Sequence, residues 1–361
     1  MEPLSQATRE IMWNISHGWI VYVLFLVSLV IFALGVYRRV EFWKKGKDDN
    51  ERFSDLSRRL VFMLREVLFQ KRVRQSGFPA LFHSLVFYSF LVLVLTTGII
   101  ALDYDLGTSL FRGPTYLALT VASEIAGVFI LVGLLMASWR RYVRRPETLE
   151  TTFADMWALL LLAMIVITGF GVEGIRIGVA GDRWQGFSPI GSVLSLIFSG
   201  LDTNAGTKLH WVVWWVHTVL VFLWIATLPY TKFVHILTLP TNAFFSKMKP
   251  AGELDRVDLD ALMESEDFDE EDFNIGIDTT GDFTWKQRLD LDACVSCGRC
   301  EEVCPAFLAK QPLSPKKFIA GMKELVQKEE ARGDASEGAA EIVGSAFDQG
   351  FVWYCLTCMA C

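Results

Sequence analysis

Residues 209–239 read LHWVVWWVHTVLVFLWIATLPYTKFVHILTL. The stretch is apolar apart from Lys232 and three histidines, His210, His217 and His235. A bilayer crossing takes roughly 20 apolar residues, so this run is long enough to span a membrane as a helix. Pro229 removes a backbone donor and predicts a kink. Four other stretches pass the same test. Residues 11–37 and 78–102 carry no Asp, Glu, Lys or Arg. Residues 113–139 contain one acid, Glu124, and 156–177 are apolar until Glu173 and Arg176. The first stretch is too long for a signal-peptide core and lacks a small-residue cleavage site, so it reads as retained. Five spans predict an all-α membrane bundle.

Lys and Arg set the expected orientation. Residues 38–77 hold twelve of them, and Arg140, Arg141, Arg144 and Arg145 follow the third span. The opposite loops hold few, among them Arg112, Arg183 and Lys208. The N terminus is therefore expected outside and the chain after span five in the cytoplasm. Residues 51–75 read as a basic amphipathic helix, either on the inner membrane surface or as a solvated connector.

All five histidines, His17, His83, His210, His217 and His235, fall in or near these spans. An ionisable side chain inside a membrane is costly and points to function. Bis-histidine haem b needs two imidazoles facing each other at matching depth. His83 and His235 match at the inner face. His17 and His217 match near the outer face, with His210, two turns before His217, as the alternative. On an ideal helix His217 and His235 stand about 27 Å apart, room for two haems. Glu124, Glu173, Arg176 and Lys208 gather toward the outer face. They are candidates for a quinone site or for haem propionates, and Glu173 and Arg176 are spaced to pair with each other.

All seven cysteines lie after residue 293. Cys294-x2-Cys297-x2-Cys300-x3-Cys304-Pro305 has the bacterial ferredoxin spacing, and Cys355-x2-Cys358-x2-Cys361 repeats its first part. Zinc sites favour separated pairs or Cys/His mixtures, so iron–sulfur is the better fit. A tight loop supplies three corners of a cubane, and the fourth cysteine of a run crosses to the other cluster. Cys294, Cys297 and Cys300 are thus expected on cluster one. Cys304, Cys355, Cys358 and Cys361 are expected on cluster two, which leaves cluster one awaiting a ligand past residue 361. The absence of earlier cysteines excludes a disulfide framework and fits a reducing compartment.

Residues 251–282 carry thirteen acids and one Arg and read as a mobile linker. Residues 314–349 read as helical, with a break near 333–338 and a second helix around 339–347. The expected organisation is a transmembrane dihaem domain at 1–240, an acidic linker at 241–282 and a mostly helical two-cluster ferredoxin domain at 283–361. A net charge of −7 excludes nucleic acid as an expected partner. No nucleotide-binding glycine loop is present, so no flavin is expected in this chain.

The five-helix topology and the His217/His235 pair resemble the gamma subunit of respiratory nitrate reductase. That family places two haem histidines on its second helix. Here only His83 is present and Leu93 stands where the second would be, which is why His17 is recruited. Trp13-Asn-Ile-Ser-His17, the His210–His217 segment with its paired Trp214 and Trp215, and Pro229-Tyr-Thr-Lys-Phe-Val-His235 resemble a narrower group. So does Phe283-Thr-Trp-Lys-Gln running into the first cysteines. The group is the fused cytochrome b/iron–sulfur oxidoreductases related to heterodisulfide reductase. The resemblance implies a bacterial or archaeal cytoplasmic membrane protein that passes electrons from electron-transfer flavoprotein, through [4Fe-4S] clusters and two haems b, to menaquinone. It also implies CCG-type domains beyond this sequence. Two other readings are a quinol-oxidising module that feeds a heterodisulfide- or sulfur-reducing domain, and a non-catalytic anchor that conducts electrons for another subunit.

Overall fold

A computed structural model describes residues 4–249, 253, 263–264, 276–332 and 339–358. Five helices are long and apolar enough to cross a membrane, and the chain is a multi-pass membrane protein. They are α1 (Trp19–Lys44), α3 (Phe78–Leu106), α4 (Gly113–Ser138), α5 (Phe153–Ala180) and α7 (Thr203–Thr227). Between them lie α2 (Leu56–Phe69) and α6 (Pro189–Phe198), and α8 (His235–Phe244) follows α7. The chain divides into two compact units. One comprises Met1–Gly35, Gln70–Pro146 and Thr151–Phe233, and the other Val36–Phe69, Glu147–Glu150 and Val234–Cys361.

In the first unit, helix ends are set by local chemistry. Pro sits in the first turn of α3 and α4, where a missing N–H costs nothing. Gly107 ends α3 in the left-handed conformation. Thr152 and Asp155 form a capping box at the start of α5. The Asp202 carboxylate accepts the backbone N–H of Asn204 and Ala205 at the start of α7. Ile130, Leu134 and Val166 pack with Phe90 and Leu93, so Leu93 is a packing residue between α3, α4 and α5. At one end of the bundle the N-terminal segment folds back: Ala7 is fully buried against Phe111, Tyr116 and Leu117.

Three expectations are corrected here. The first span begins at Trp19 rather than residue 11, and runs to Lys44. Met12, Asn14 and His17 adopt positive φ, which an α-helix excludes. The fifth span kinks at Pro229 as expected, but the kink is a full break. Short 3-10 turns at Leu228–Tyr230 and Lys232–Val234 separate α7 from α8. His217 and His235 thus lie on different helices, and the ideal-helix spacing of about 27 Å does not apply. Short, apolar α6 was not anticipated.

The second unit is built from the end of α1, α2, α8 and the cysteine-bearing segment. That segment contains α9 (Trp285–Ala293), α10 (Arg299–Val303), α11 (Pro305–Leu308) and α12 (Pro315–Arg332). Its core is Phe283, Leu291, Met322, Val326 and Ile342, packed by Phe42 of α1. Lys47 N–H donates to the Phe283 carbonyl and Trp285 N–H to the Lys47 carbonyl, both at 2.9 Å. The expected helix at 339–347 is not regular: Val343 is extended and Gly344 has φ 99°. The expected break at 333–338 and most of the 251–282 linker lie outside the described residues. Among the described residues no β-strand forms beyond isolated bridges.

Candidate cofactor sites

The five histidines differ sharply in setting. His217, on α7, has its Nδ1 3.0 Å from both the Ile165 carbonyl and Thr168 Oγ1 of α5. A carbonyl only accepts, so Nδ1 carries the proton and donates. Nε2 is left with a free lone pair, the form in which imidazole ligates iron. Gly169 leaves the ring room: a Cβ there would stand 3.3 Å from its Cε1. His83, on α3, is also held at Nδ1. Its Nδ1 lies 3.0 Å from Oε1 of buried Gln70. His235 is the first residue of α8, directly after the break.

His17 stands two residues before α1, with φ 62°, and is exposed. It does not lie within a span, as the sequence suggested. His210 is 2% exposed, packs edge-on against Trp13 with ring centroids 4.7 Å apart, and its Nδ1 has no hydrogen-bond partner. The anchored imidazoles fit a b-type haem.

Three of the four polar candidates, Glu124, Glu173 and Arg176, are already engaged. Glu124, 2% exposed, accepts the N–H of Ile190 at 2.6 Å and of Gly191 at 3.3 Å, and so holds the N-terminus of α6. Glu173 accepts from Ser188 Oγ at 2.9 Å. Arg176 pairs with Asp182 at 2.7 Å and reaches Glu173 at 3.7 Å. Lys208 lines an open cleft of about 750 Å³ with Glu10, Asn14, Ser16 and Trp211. Sequence reasoning missed buried Asp155, which binds Lys232 at 2.5 Å and Arg141 at 3.0 Å. Its signals were the Thr152-x2-Asp155 cap and the lone charge in the fifth span. It ties α5 to the break that precedes His235.

The two cysteine runs share a backbone device. Ser296 stands just before Cys297 with φ 54°, and Thr357 just before Cys358 with φ 48°. A left-handed residue at that place turns each C-x2-C loop back on itself. Gly298 adds a second left-handed residue, φ 77°, in the first run. Cys300 sits on α10 and Cys304 precedes α11. Cys304 is buried with Ala306 and Leu313, against Phe307 and Phe351. Phe351 lies four residues before Cys355 in the chain. Among the described residues no three His, Cys, Asp or Glu side chains converge as a mononuclear metal site. Cys361 lies outside the described residues. Turned loops of thiols are a donor set that fits iron–sulfur clusters.

Charged anchors flank the first run. Asp292 is 1% exposed and binds Arg39 at 2.6 Å and Lys323 at 3.0 Å, and Trp43 Nε1 donates to it at 3.1 Å. Burial pushes its carboxyl up, but Lys323 and Arg39 outweigh that and hold it below the usual carboxylate range. The Lys47 ammonium, 2.7 Å from Asp282, and the Thr279 N–H hold Asp282 well below that range.

Residues 111–249 match the family of the nitrate reductase gamma subunit, and residues 290–361 match the 4Fe-4S dicluster domain. The matched families are a haem b-binding and an iron–sulfur one. An EtfAB:quinone oxidoreductase of Syntrophomonas wolfei is 28% identical over 387 residues, covering 96% of this chain and 52% of that protein. A probable iron-sulfur-binding oxidoreductase, FadF, of Bacillus subtilis is 25% identical, covering 93% of this chain and 52% of that protein. One subunit of a dihydromethanophenazine:CoB–CoM heterodisulfide reductase from Methanosarcina thermophila is 27% identical, covering 52% of this chain and 66% of that polypeptide. The chain spans about half the length of the first two relatives. No solved structure matches it.

Proposed function

We propose that this chain is the electron-conducting part of a membrane oxidoreductase that takes electrons from electron-transfer flavoprotein in the cytoplasm and delivers them to menaquinone. When bound, two [4Fe-4S] clusters and two haems b supply the one-electron carriers. Cys294, Cys297 and Cys300 hold the first cluster, and Cys304 joins Cys355, Cys358 and Cys361 on the second. His83 and His235 hold the inner haem, and His217 with His17 the outer one, His210 being the alternative. The observation that carries this reading is the anchored imidazole of His217, whose Nδ1–H is fixed by Ile165 and Thr168 inside a span. Glu124, Glu173 and Arg176 are each engaged within the protein, which leaves Lys208 as the better candidate beside a quinone or a haem propionate.

The likeness to a heterodisulfide reductase component favours one second reading, with electrons flowing from quinol toward a sulfur-reducing domain. A single assay separates the two. Purified protein is given reduced electron-transfer flavoprotein and a menaquinone analogue, or the reduced quinone analogue alone. Quinone reduction by the flavoprotein is the expected result. Haem reduction by quinol without any flavoprotein-driven turnover would favour the second reading. In the same preparation, His83→Ala and His235→Ala should each remove one of two b-type α bands. Retention of both bands in either variant would sink the inner pairing.

A further inference from the structure

Helix α2 has three distinct faces. At about 100° per residue, Leu56, Leu60, Leu64, Leu68 and Val61 fall within an arc of about 140°. All five are 43–65% exposed. Arg58 and Arg65, also exposed, follow on the next sector. The opposite face is fixed to protein. There Arg59, 3% exposed, donates to the carbonyls of Ser54 at 2.6 Å, Glu51 at 3.0 Å and Ser246 at 2.7 Å. Ser246 lies just past the end of α8, so the Arg59 guanidinium sits where a helix leaves carbonyls unpaired and favours a cation.

A solvated helix would not carry five exposed aliphatic side chains on one arc beside its charges. An interfacial helix needs that arrangement: apolar residues among acyl chains, cations at the headgroups. Connectivity supplies the partner. In chain order α2 joins span α1 to span α3, so both of its ends lead back to the bilayer, and Lys71, Arg72 and Arg74 follow it closely. We propose that α2 is an in-plane membrane anchor, with its leucine arc in the acyl region and its arginines on the phosphates of anionic lipid. Through Arg59 it holds the end of α8, the helix that begins with His235.

The test uses the full chain in nanodiscs of phosphatidylglycerol or phosphatidylcholine. The photoreactive residue p-benzoylphenylalanine replaces Val61 or Leu64. It also replaces Leu95, 60% exposed on span α3, and Lys328, an exposed residue of α12. Mass spectrometry should find lipid adducts at positions 61 and 64 as at 95, and none at 328. Yields at 61 and 64 should be several-fold higher in the anionic lipid, and Arg58→Glu with Arg65→Glu should remove that difference. No lipid adduct at 61 and 64, or adducts to another polypeptide, while 95 still labels lipid, would overturn the proposal alone. Equal yields in both lipids would overturn its anionic part. Loss of labelling at 95 as well would overturn the membrane reading on which it rests.

Discussion

A ligand residue must be held as well as present, and His217, the proposed haem ligand, illustrates how. Its ring is fixed by two oxygens of a neighbouring span, so its tautomer is set before any metal arrives. Asp282 is held in the same sense, by charge. Its carboxyl accepts from Lys47 Nζ and from Thr279 N–H, and its folded value is depressed. A depressed carboxylate adds stability above its unfolded pKa of about 3.9, and that stability is lost as pH falls toward the folded value. Acid denaturation of the cysteine-bearing unit should therefore begin below about pH 4. Asp282→Ala loses a cap and an ion pair whose lysine is mostly exposed, so the expected cost near neutral pH is about 1–2 kcal/mol. Following the visible cluster absorption against denaturant at two pH values checks both. An unchanged midpoint at pH 7 would count against the anchor. The histidines and cysteines were legible as residue types at telling spacings. Gln70, Ile165 and Thr168 were not, because a hydrogen bond between elements distant in sequence leaves no local pattern.

At the scale of elements, the cysteine loops depend on backbone conformations that only some residues tolerate. Gly298 has φ 77°, and a Cβ added there would stand 2.3 Å from the Thr148 carbonyl oxygen. Gly298→Ala therefore meets both strain and a backbone clash, at a cost of several kcal/mol. The expected result is loss of the first cluster's signal in the reduced-state EPR spectrum while the second survives. Thr357→Gly, in the equivalent loop, relieves a left-handed residue and should keep both signals. Loss of both clusters in Gly298→Ala, with the protein still folded, would contradict separate loops. The same backbone logic explains which elements the sequence hid. Hydropathy located all five spans, but it cannot register the positive φ of Met12, Asn14 and His17, so it began α1 too early. It also read through the 3-10 turns after Thr227, because Leu228, Phe233 and Val234 are as apolar as a helix interior. Short α6 looked like loop because its apolar run begins at a proline and is too brief to cross a bilayer.

At the scale of the molecule, the proposed route makes the cysteine-bearing unit the only entry for electrons from a cytoplasmic donor. Of the histidines proposed for the haems, His83, His17, His217 and the alternative His210 lie in the other unit, and His235 begins α8 in the same unit as the cysteines. Damage to a cluster should then separate two activities that a general loss of folding would remove together. Cys358→Ser takes a thiolate from an exposed loop and is expected to leave both b-type α bands after dithionite reduction. Haem reduction by reduced flavoprotein should fall to background. Haem reduction by a menaquinol analogue should persist, because on the proposed route the quinone meets the haems without passing the clusters. Stopped-flow traces of the haem band with each reductant measure the contrast directly. If flavoprotein still reduces the haems at the normal rate in Cys358→Ser, electrons enter by another path and the proposed order of carriers is wrong. If quinol-driven reduction is lost as well, the variant has disturbed the haem-bearing unit. Haem retention measured on the same sample tells that outcome apart from a broken route.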